Sequence, residues 1–398
     1  MKSTLNIKAL YLNWFGDQLI SYVCLRLIKY INDENVYATL LGIVSDSSID
    51  PHREALIKKK QNGKLTTQKR SFYKDTFPRF LRSIVYRFLS NEKIKKIVEL
   101  RFLKTLHSND IAYLFPGTSL HLYEQIKKVG CTIIVERINT LRCHSKRLLD
   151  AETIRMNMSA QHDITERSAT EEVKKMQLAD YIFSPSPAVT FSIQQAGIDS
   201  EKILETSYGM DPKDILDVSD KVYGADPINI IFVGRICLRK GVHLLLDAWQ
   251  QANIAGKLTL VGNIAPDFKE FFLPYLEDST ISHVSFVDDL RPLYRDADIF
   301  VLPSLEEGSP LVTYLALGAS LPMIVSTMGG GGIVRDSIEG LVIDPHDTRT
   351  FADALLKLAN DPKLRQRMSA SSGKSALNYT WDQVGARRKE LLKSKISN

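Results

Sequence analysis

Two cations and a carboxylate-bearing turn carry most of the chemistry that can be read from this chain. The run Ile230-Ile231-Phe232-Val233-Gly234-Arg235 reads as a strand that ends at Val233, with Gly234 permitting a tight exit. Arg235 and Lys240 follow before a helical pattern opens after Gly241. Arg is a planar fork and Lys a compact charge, so the pair can converge on a diphosphate. The plain alternative is a solvated basic loop. A second turn, Glu307-Gly308-Ser309-Pro310, follows the apolar run at 299–302 and leads into a helix from Leu311. The amides of Leu311, Val312 and Thr313 at that helix start form an anion site. Glu307 can accept hydrogen bonds from sugar hydroxyls or serve only as a cap. A third turn, Gly329-Gly330-Gly331-Gly332, allows close backbone approach to a ligand, or merely a flexible loop.

Positioning these turns takes two α/β units. At 398 residues the chain exceeds the size at which single cores stop growing, so two domains are expected. Strand-like runs at 5–12, 36–44, 111–115, 132–135 and 181–183 alternate with helical patterns such as 19–31, 171–179 and 189–196. A second series has strands at 228–233, 257–261, 284–286, 299–302, 323–325 and 340–343, with a helix at 350–359. Short apolar strands alternating with helices predict parallel sheets covered on both faces. The aspartate-rich stretch 211–226 breaks the rhythm and reads as the linker between a domain at 1–210 and one at 227–378. Ligands of open α/β sheets bind beyond the carboxyl ends of strands, so the site is expected in the interdomain cleft.

Composition narrows the classes. Apolar residues make up 44% and charged residues 25%, an ordinary globular balance. No apolar run is long enough to span a membrane and the N-terminus lacks a signal-peptide core, so a cytoplasmic location is expected. The net charge of +6 conceals a local excess, because residues 51–110 hold 16 Lys and Arg against 5 Asp and Glu. Phe77, Phe80, Leu81, Ile84, Val85, Phe88 and Leu89 follow helical spacing, and a second basic helix is expected over 92–106. An anionic membrane surface met through residues 77–106 is one reading of this patch, and a helix that simply covers the sheet is the other. Nucleic acid is not expected, since no RNA- or DNA-binding motif accompanies the charge. The four cysteines show no metal spacing and read as reduced thiols.

Taken together, these stretches resemble the retaining glycosyltransferases of family 4, the GT-B group. The resemblance is strong from about 228 to 392. It rests on FVGR with the later KG, on YRDADIFVLPS before EEGSPLV, and on Tyr379-Thr380-Trp381-Asp382. It continues more weakly upstream in LADYIFSPS and in Ser207-Tyr208-Gly209-Met210-Asp211. The resemblance implies two facing Rossmann-like domains, with a crossover helix at 379–398 returning to the first. It implies a nucleotide-sugar donor, UDP- or GDP-linked, on the second domain. Arg235 and Lys240 would hold its diphosphate with Gly234, Gly308, Ser309, Pro310, Leu311, Val312 and Thr313 around them. Glu307 would meet the sugar, and Gly262 and Val287 the base. A glycan or lipid-linked acceptor would enter from the first domain near Gly16, Asp17, Arg137 and Asn139. Beyond the donor no cofactor or metal is implied, and Asp296-Ala297-Asp298 reads as a strand entry rather than a metal motif.

Two positions depart from the family pattern. Leu315 stands where a second glutamate would grip the donor ribose, and the loop after Val135 lacks the histidine usual there, with His144 the nearest substitute. His162 and His243 read as structural. The expectation is a retaining, metal-independent glycosyltransferase of cell-surface polysaccharide or glycolipid synthesis, peripheral on the cytoplasmic face of the membrane. The alternative is a catalytically impaired relative acting as a partner subunit or glycan-binding module.

Overall fold

The computed structural model describes residues 5–15, 19–44, 54–61, 64–71, 73–75, 87–160, 162–219 and 227–396, with side chains described for these except at 13–21 and 42–75. The first unit runs β1 (Leu5–Phe15), α1 (Leu19–Ile31), β2 (Val36–Val44), β3 (Glu54–Gln61), β4 (Lys64–Ser71), β5 (Tyr73–Asp75) and α2 (Asn91–Thr105). It continues with β6 (Ile111–Leu114), α3 (Leu120–Val129), β7 (Thr132–Glu136), α4 (Arg142–Arg155), α5 (Glu166–Leu178), β8 (Tyr181–Ser184), α6 (Pro187–Gln195) and β9 (Ile203–Glu205). Seven of these strands form a sheet in the order β5-β2-β1-β6-β7-β8-β9, with every pair parallel. The strand cores at β6 and β7 are buried along almost their whole length, as strands covered on both faces must be.

The second unit runs β10 (Ile228–Val233), α7 (Val242–Ala252), β11 (Gly256–Val261), α8 (Lys269–Phe272), β12 (Ile281–Val284), α9 (Arg291–Asp296) and β13 (Ile299–Leu302). It continues with α10 (Leu311–Gly318), β14 (Met323–Ser326), α11 (Thr327–Gly330), β15 (Gly340–Ile343), α12 (Thr348–Asn360) and α13 (Pro362–Ala376). Its parallel sheet has the order β12-β11-β10-β13-β14-β15. The strand order of this sheet reverses between β10 and β13, and that of the first between β1 and β6. Crevices for ligands open at such reversals. Asp298 fixes the entry to β13, where its carboxylate accepts from the Asn229 amide at 2.9 Å. The DxD-like triplet is therefore framework.

Helix α14 (Trp381–Ile396) returns to the first unit and packs on α1. Gly385 allows that contact, because a Cβ there would lie 2.6 Å from the Tyr30 carbonyl oxygen. Arg388 of α14 is wholly buried and pairs with the wholly buried Glu136 at 2.7 Å, with the Tyr113 hydroxyl donating to the same carboxylate. Burial and the Glu136 carboxylate would otherwise pull in opposite directions. The net effect holds the guanidinium more firmly charged than usual. The two domains of the GT-B architecture and the returning helix are thus as the resemblance implied.

Two local expectations need correction, and a third is not tested. The hairpin of β3 and β4 is antiparallel and pairs Gln61 with Lys64, although no strand is expected between 44 and 111. The Asn62-Gly63 pair between them is a strong hairpin signal that the lysine-rich composition obscures. The strand expected at 284–286 ends at Val284, and Phe286 beyond it is exposed. The helix expected over 77–89 lies, up to residue 86, outside the described residues. The second basic helix is α2, and it turns Ile94, Val98 and Phe102 into the first unit's core. Its apolar face is therefore already covered.

Candidate active site

Three glycines set the geometry at the carboxyl end of the second sheet. Gly234 leaves β10 with φ 155° and Gly262 leaves β11 with φ 141°. The two turns stack so tightly that a Cβ on Gly262 would fall 2.0 Å from the Gly234 carbonyl oxygen. Gly241, with φ 68°, comes equally close to the Pro303 carbonyl after β13. That approach seats the turn at 238–240 directly against the loop that carries Glu306 and Glu307.

The result is a buried cluster of alternating charge. Lys240 is buried and its ammonium donates to Glu307 Oε1. Arg239 Nη1 lies 3.2 Å from the same oxygen and donates to the Glu306 carbonyl at 3.1 Å. Burial works against an ionised Glu307, but the Lys240 and Arg239 cations outweigh it and hold the carboxyl below the usual glutamate value. Glu307 in turn stabilises the Arg239 cation. Glu306 faces the first unit, where it accepts from Thr140 Oγ1 at 2.8 Å and Ser145 Oγ at 3.1 Å.

Above this cluster opens a cavity of about 360 Å³, lined by Gly234, Arg235, Lys240, Glu307, Ser309, Pro310, Leu311 and Val312 with Ile138 and Asn139 from the opposite side. Arg235 is exposed in the cleft and makes no ion pair among the described residues. The first amides of α10 start at Leu311, where the helix has no side-chain cap. A free guanidinium, a buried ammonium and uncapped amides around one cavity suit a dianionic group.

The remaining sequence-derived residues divide. Gly308 is a contact between units, since a Cβ there would meet the Ile138 carbonyl oxygen at 1.6 Å. Ser309 Oγ bonds to Tyr314 Oη at 2.7 Å, and Thr313 Oγ1 donates to the Gly329 carbonyl at 2.8 Å. Thr313 therefore shapes the helix start. Gly332 of the four-glycine turn packs on Pro187 of the first unit, which leaves that turn filled by protein. Val287 packs partly buried against the core beyond β12. Asn139 lines the cleft, while Arg137 is buried, pairs with Glu172 at 2.7 Å and holds the carbonyls of Asn139 and Thr140. Arg137 thus shapes the loop. Gly16 and Asp17 lie outside the described residues.

His144 is not brought into the cleft. It begins α4 with its ring turned onto Phe191, 5.9 Å away, and Nδ1 3.2 Å from Arg147. Burial and the Arg147 charge hold it below the usual histidine value. His162, which read as structural, does line the cleft, with its ring fixed between Asp150 at 2.8 Å and the Ile164 amide at 3.2 Å. Leu315 lines a separate cavity of about 370 Å³ with Leu290, Tyr294 and Leu311, rimmed by Arg26, Asp211 and Asp289.

Sequence reasoning missed Arg239, Glu306, Thr140 and Ser145. The signal was two adjacent charge pairs, Arg239-Lys240 and Glu306-Glu307, of which spacing alone selects one member each. It also missed Glu152 of α4, which reaches across to the second unit and accepts from His243 Nε2 at 2.5 Å and His346 Nε2 at 2.9 Å. Burial opposes its ionisation, yet the two histidines and Arg155 hold its carboxyl far below the usual range. Among the described residues no cluster of His, Cys, Asp or Glu is arranged to hold a metal ion.

Residues 227–361 match the family described as glycosyl transferases group 1. A D-inositol 3-phosphate glycosyltransferase of Paenarthrobacter aurescens is 26% identical over 185 residues, which cover 43% of this chain and 45% of that protein. One of Salinispora arenicola is 35% identical over 98 residues, covering 24% and 22%. The chain thus spans less than half the length of the curated relatives it matches. Over nearly the whole length, sucrose-phosphate synthase from Thermosynechococcus elongatus shares the fold at TM-score 0.67 and 16% identity, with 98% of each chain covered. HepE of Anabaena, solved with UDP and glucose, does so at 0.64 and 13%, covering 98% of this chain and all of that one. The second unit therefore carries the sequence signature of group 1 glycosyl transferases, and the whole chain shares the fold of these solved structures.

Proposed function

We propose that this protein is a glycosyltransferase that moves a sugar from a UDP- or GDP-linked donor to a glycan or lipid-linked saccharide, with retention of configuration. One observation carries the reading: Arg235, Lys240 and the uncapped start of α10 converge on one cavity beside the ionised Glu307. The diphosphate would sit among those groups and the donor sugar against Glu307. The nucleoside would run along α10 toward the cavity at Leu290, Tyr294 and Leu315. Transfer breaks the bond between the sugar's anomeric carbon and the diphosphate oxygen, which keeps the electron pair. The acceptor oxygen bonds to that carbon and its proton passes to the leaving diphosphate. Preorganised cations and amides lower the barrier by meeting the charge that develops on the leaving diphosphate. The positive charge needed comes from side chains and helix, so the reading is metal-independent. The UDP complex of HepE and the family of residues 227–361 support it. A thermal-shift panel of UDP, GDP and their sugar conjugates tests it, and the expected result is stabilisation by one nucleotide series.

Leu315 supports a second reading, a catalytically impaired partner subunit or glycan-binding module, because an apolar side chain stands where a ribose-binding carboxylate is expected. Losing such a charge-assisted bond weakens binding by about 10–100-fold. Lys240→Ala discriminates. An enzyme loses turnover, while a binding module keeps its partner.

The cytoplasmic, membrane-peripheral part of the reading rests on the basic segment. Lys93, Lys96 and Lys104 are exposed on α2, and the chain also carries the lysine-rich hairpin of β3 and β4. No helix of the described residues is long and apolar enough to cross a membrane. With the apolar face of α2 covered, attachment would be electrostatic, so flotation with anionic vesicles should be abolished by high salt.

A further inference from the structure

The cleft does not end at the donor cavity. A lobe of about 460 Å³ lies between the loop at 137–145 and the turn at 235–239, and it shares Ile138, Asn139, Arg235 and Arg239 with the donor cavity. A third cavity of about 290 Å³ lies wholly in the first unit and shares Pro116, Arg137, Arg142 and Glu172 with that lobe. The three adjoin one another through these shared walls, and the third lies at the carboxyl ends of β6 and β7, beside the reversal in strand order of the first sheet, where open α/β sheets take ligands.

The chemistry of the far cavity selects among ligands. Its charged groups are matched: Arg137 with Glu172 at 2.7 Å, and Lys175 with Glu171 at 2.7 Å. Around them stand the hydroxyls of Thr118, Ser119 and Ser168. A phosphate would call for unmatched cations, whereas paired donors and acceptors suit a ring of hydroxyls. Arg142 sits at the divide between the two cavities. Its backbone is anchored to Glu172 at 2.6 Å, but its guanidinium is only loosely held, 3.4 Å from Ser168 Oγ and 3.9 Å from Glu172, with its side chain 43% exposed. Its donors are available to a ligand passing through.

We propose that the acceptor is an uncharged oligosaccharide whose units remote from the transfer point lie in this cavity, held by Arg142 and Lys175. The proposal rests on the glycosyltransferase reading, and its test separates the two. The purified full chain, with UDP and GDP present, is applied to an array of neutral and anionic glycans from mono- to octasaccharides, while melting temperatures are measured with and without each nucleotide. The expected result is retention of neutral glycans of two or more units. Lys175→Ala and Arg142→Gln should each lower it about tenfold or more, the loss of one charge-assisted bond, while leaving the melting temperature and the nucleotide-induced shift in place. Retention of monosaccharides alone, of anionic glycans alone or of nothing, or retention untouched by both variants, overturns it. A nucleotide shift without glycan retention removes only the distal site. Absence of both removes the glycosyltransferase reading as well.

Discussion

The hydroxyl of Thr140 in the first unit donates to the buried carboxylate of Glu306 in the second at 2.8 Å, directly beneath the cleft. This bond ties the loop after β7 to the turn that carries Glu307, so the relative position of the two units is coupled to the charge cluster. Thr140→Val removes one donor but leaves Ser145 and Arg239 on the carboxylate. The expected loss is about 1 kcal/mol in urea unfolding, because Glu306 keeps partners. Glu306→Leu, which strands Thr140 and Ser145 together, should lose more.

Arg235 and Lys240 should separate affinity from stability. Arg235 is exposed and makes no ion pair among the described residues, so Arg235→Ala should leave the unfolding midpoint unchanged while nucleoside diphosphate affinity falls about 10–100-fold. Lys240 is buried against Glu307, so Lys240→Ala leaves a buried carboxylate with Arg239 as its one cation among the described residues and should lower both. Calorimetric titration and urea melts on the same preparations decide this.

Gly308→Ala places a methyl group where the Ile138 carbonyl oxygen lies, 1.6 Å from the ideal Cβ. The first-unit loop must retreat while the second unit keeps its own cavity walls. Transfer should fall on the order of 100-fold, the usual effect of misplacing reacting groups by about 1 Å. Nucleotide affinity should change by far less. A parallel fall in nucleotide affinity would show that Ile138 and Asn139, which line the donor cavity, also hold the nucleotide.

Glu152 gives the contact between units a pH dependence. Its carboxyl is held below the unfolded value of about 4.3, so its contribution is full above that value and fades as pH falls toward the folded value. Glu152→Gln should therefore destabilise by about 1–3 kcal/mol at pH 7. The gap to the unaltered protein should hold down to about pH 5 and narrow below about pH 4.3. A gap that widens on acidification would contradict this sign.

Arg388→Met tests the returning helix. It leaves Glu136 buried without its cation, and removal of one partner of such a pair costs about 3–5 kcal/mol. Limited proteolysis should then cut within 381–396 before the sheets open.

Much of this was legible in the residues. Alternating apolar runs gave both sheets, because strands buried on two faces leave an uninterrupted apolar signature. Gly234, Lys240 and Glu307 stood out because tight strand exits and charged turns require particular residue types. Less legible were features that exist only across the cleft. Thr140, Ser145 and Glu152 are ordinary residues of one unit until the other unit supplies Glu306, His243 and His346. Nothing in spacing reveals that partner. His144 shows the converse: a histidine near the right loop in sequence meets Phe191 of another helix edge-on instead of facing the cleft. The lysine-rich hairpin is hard to read because its dense charge masks the alternation expected of strands.

The central claim is that the second unit binds a nucleoside diphosphate through Arg235, Lys240 and the start of α10. Calorimetric titration of UDP and GDP into the full chain tests it most directly. The account predicts saturable binding of one of them at a single site, weakened at least about tenfold by Arg235→Ala. No heat from either nucleotide or from their sugar conjugates, or binding that Arg235→Ala and Lys240→Ala leave untouched, would contradict it.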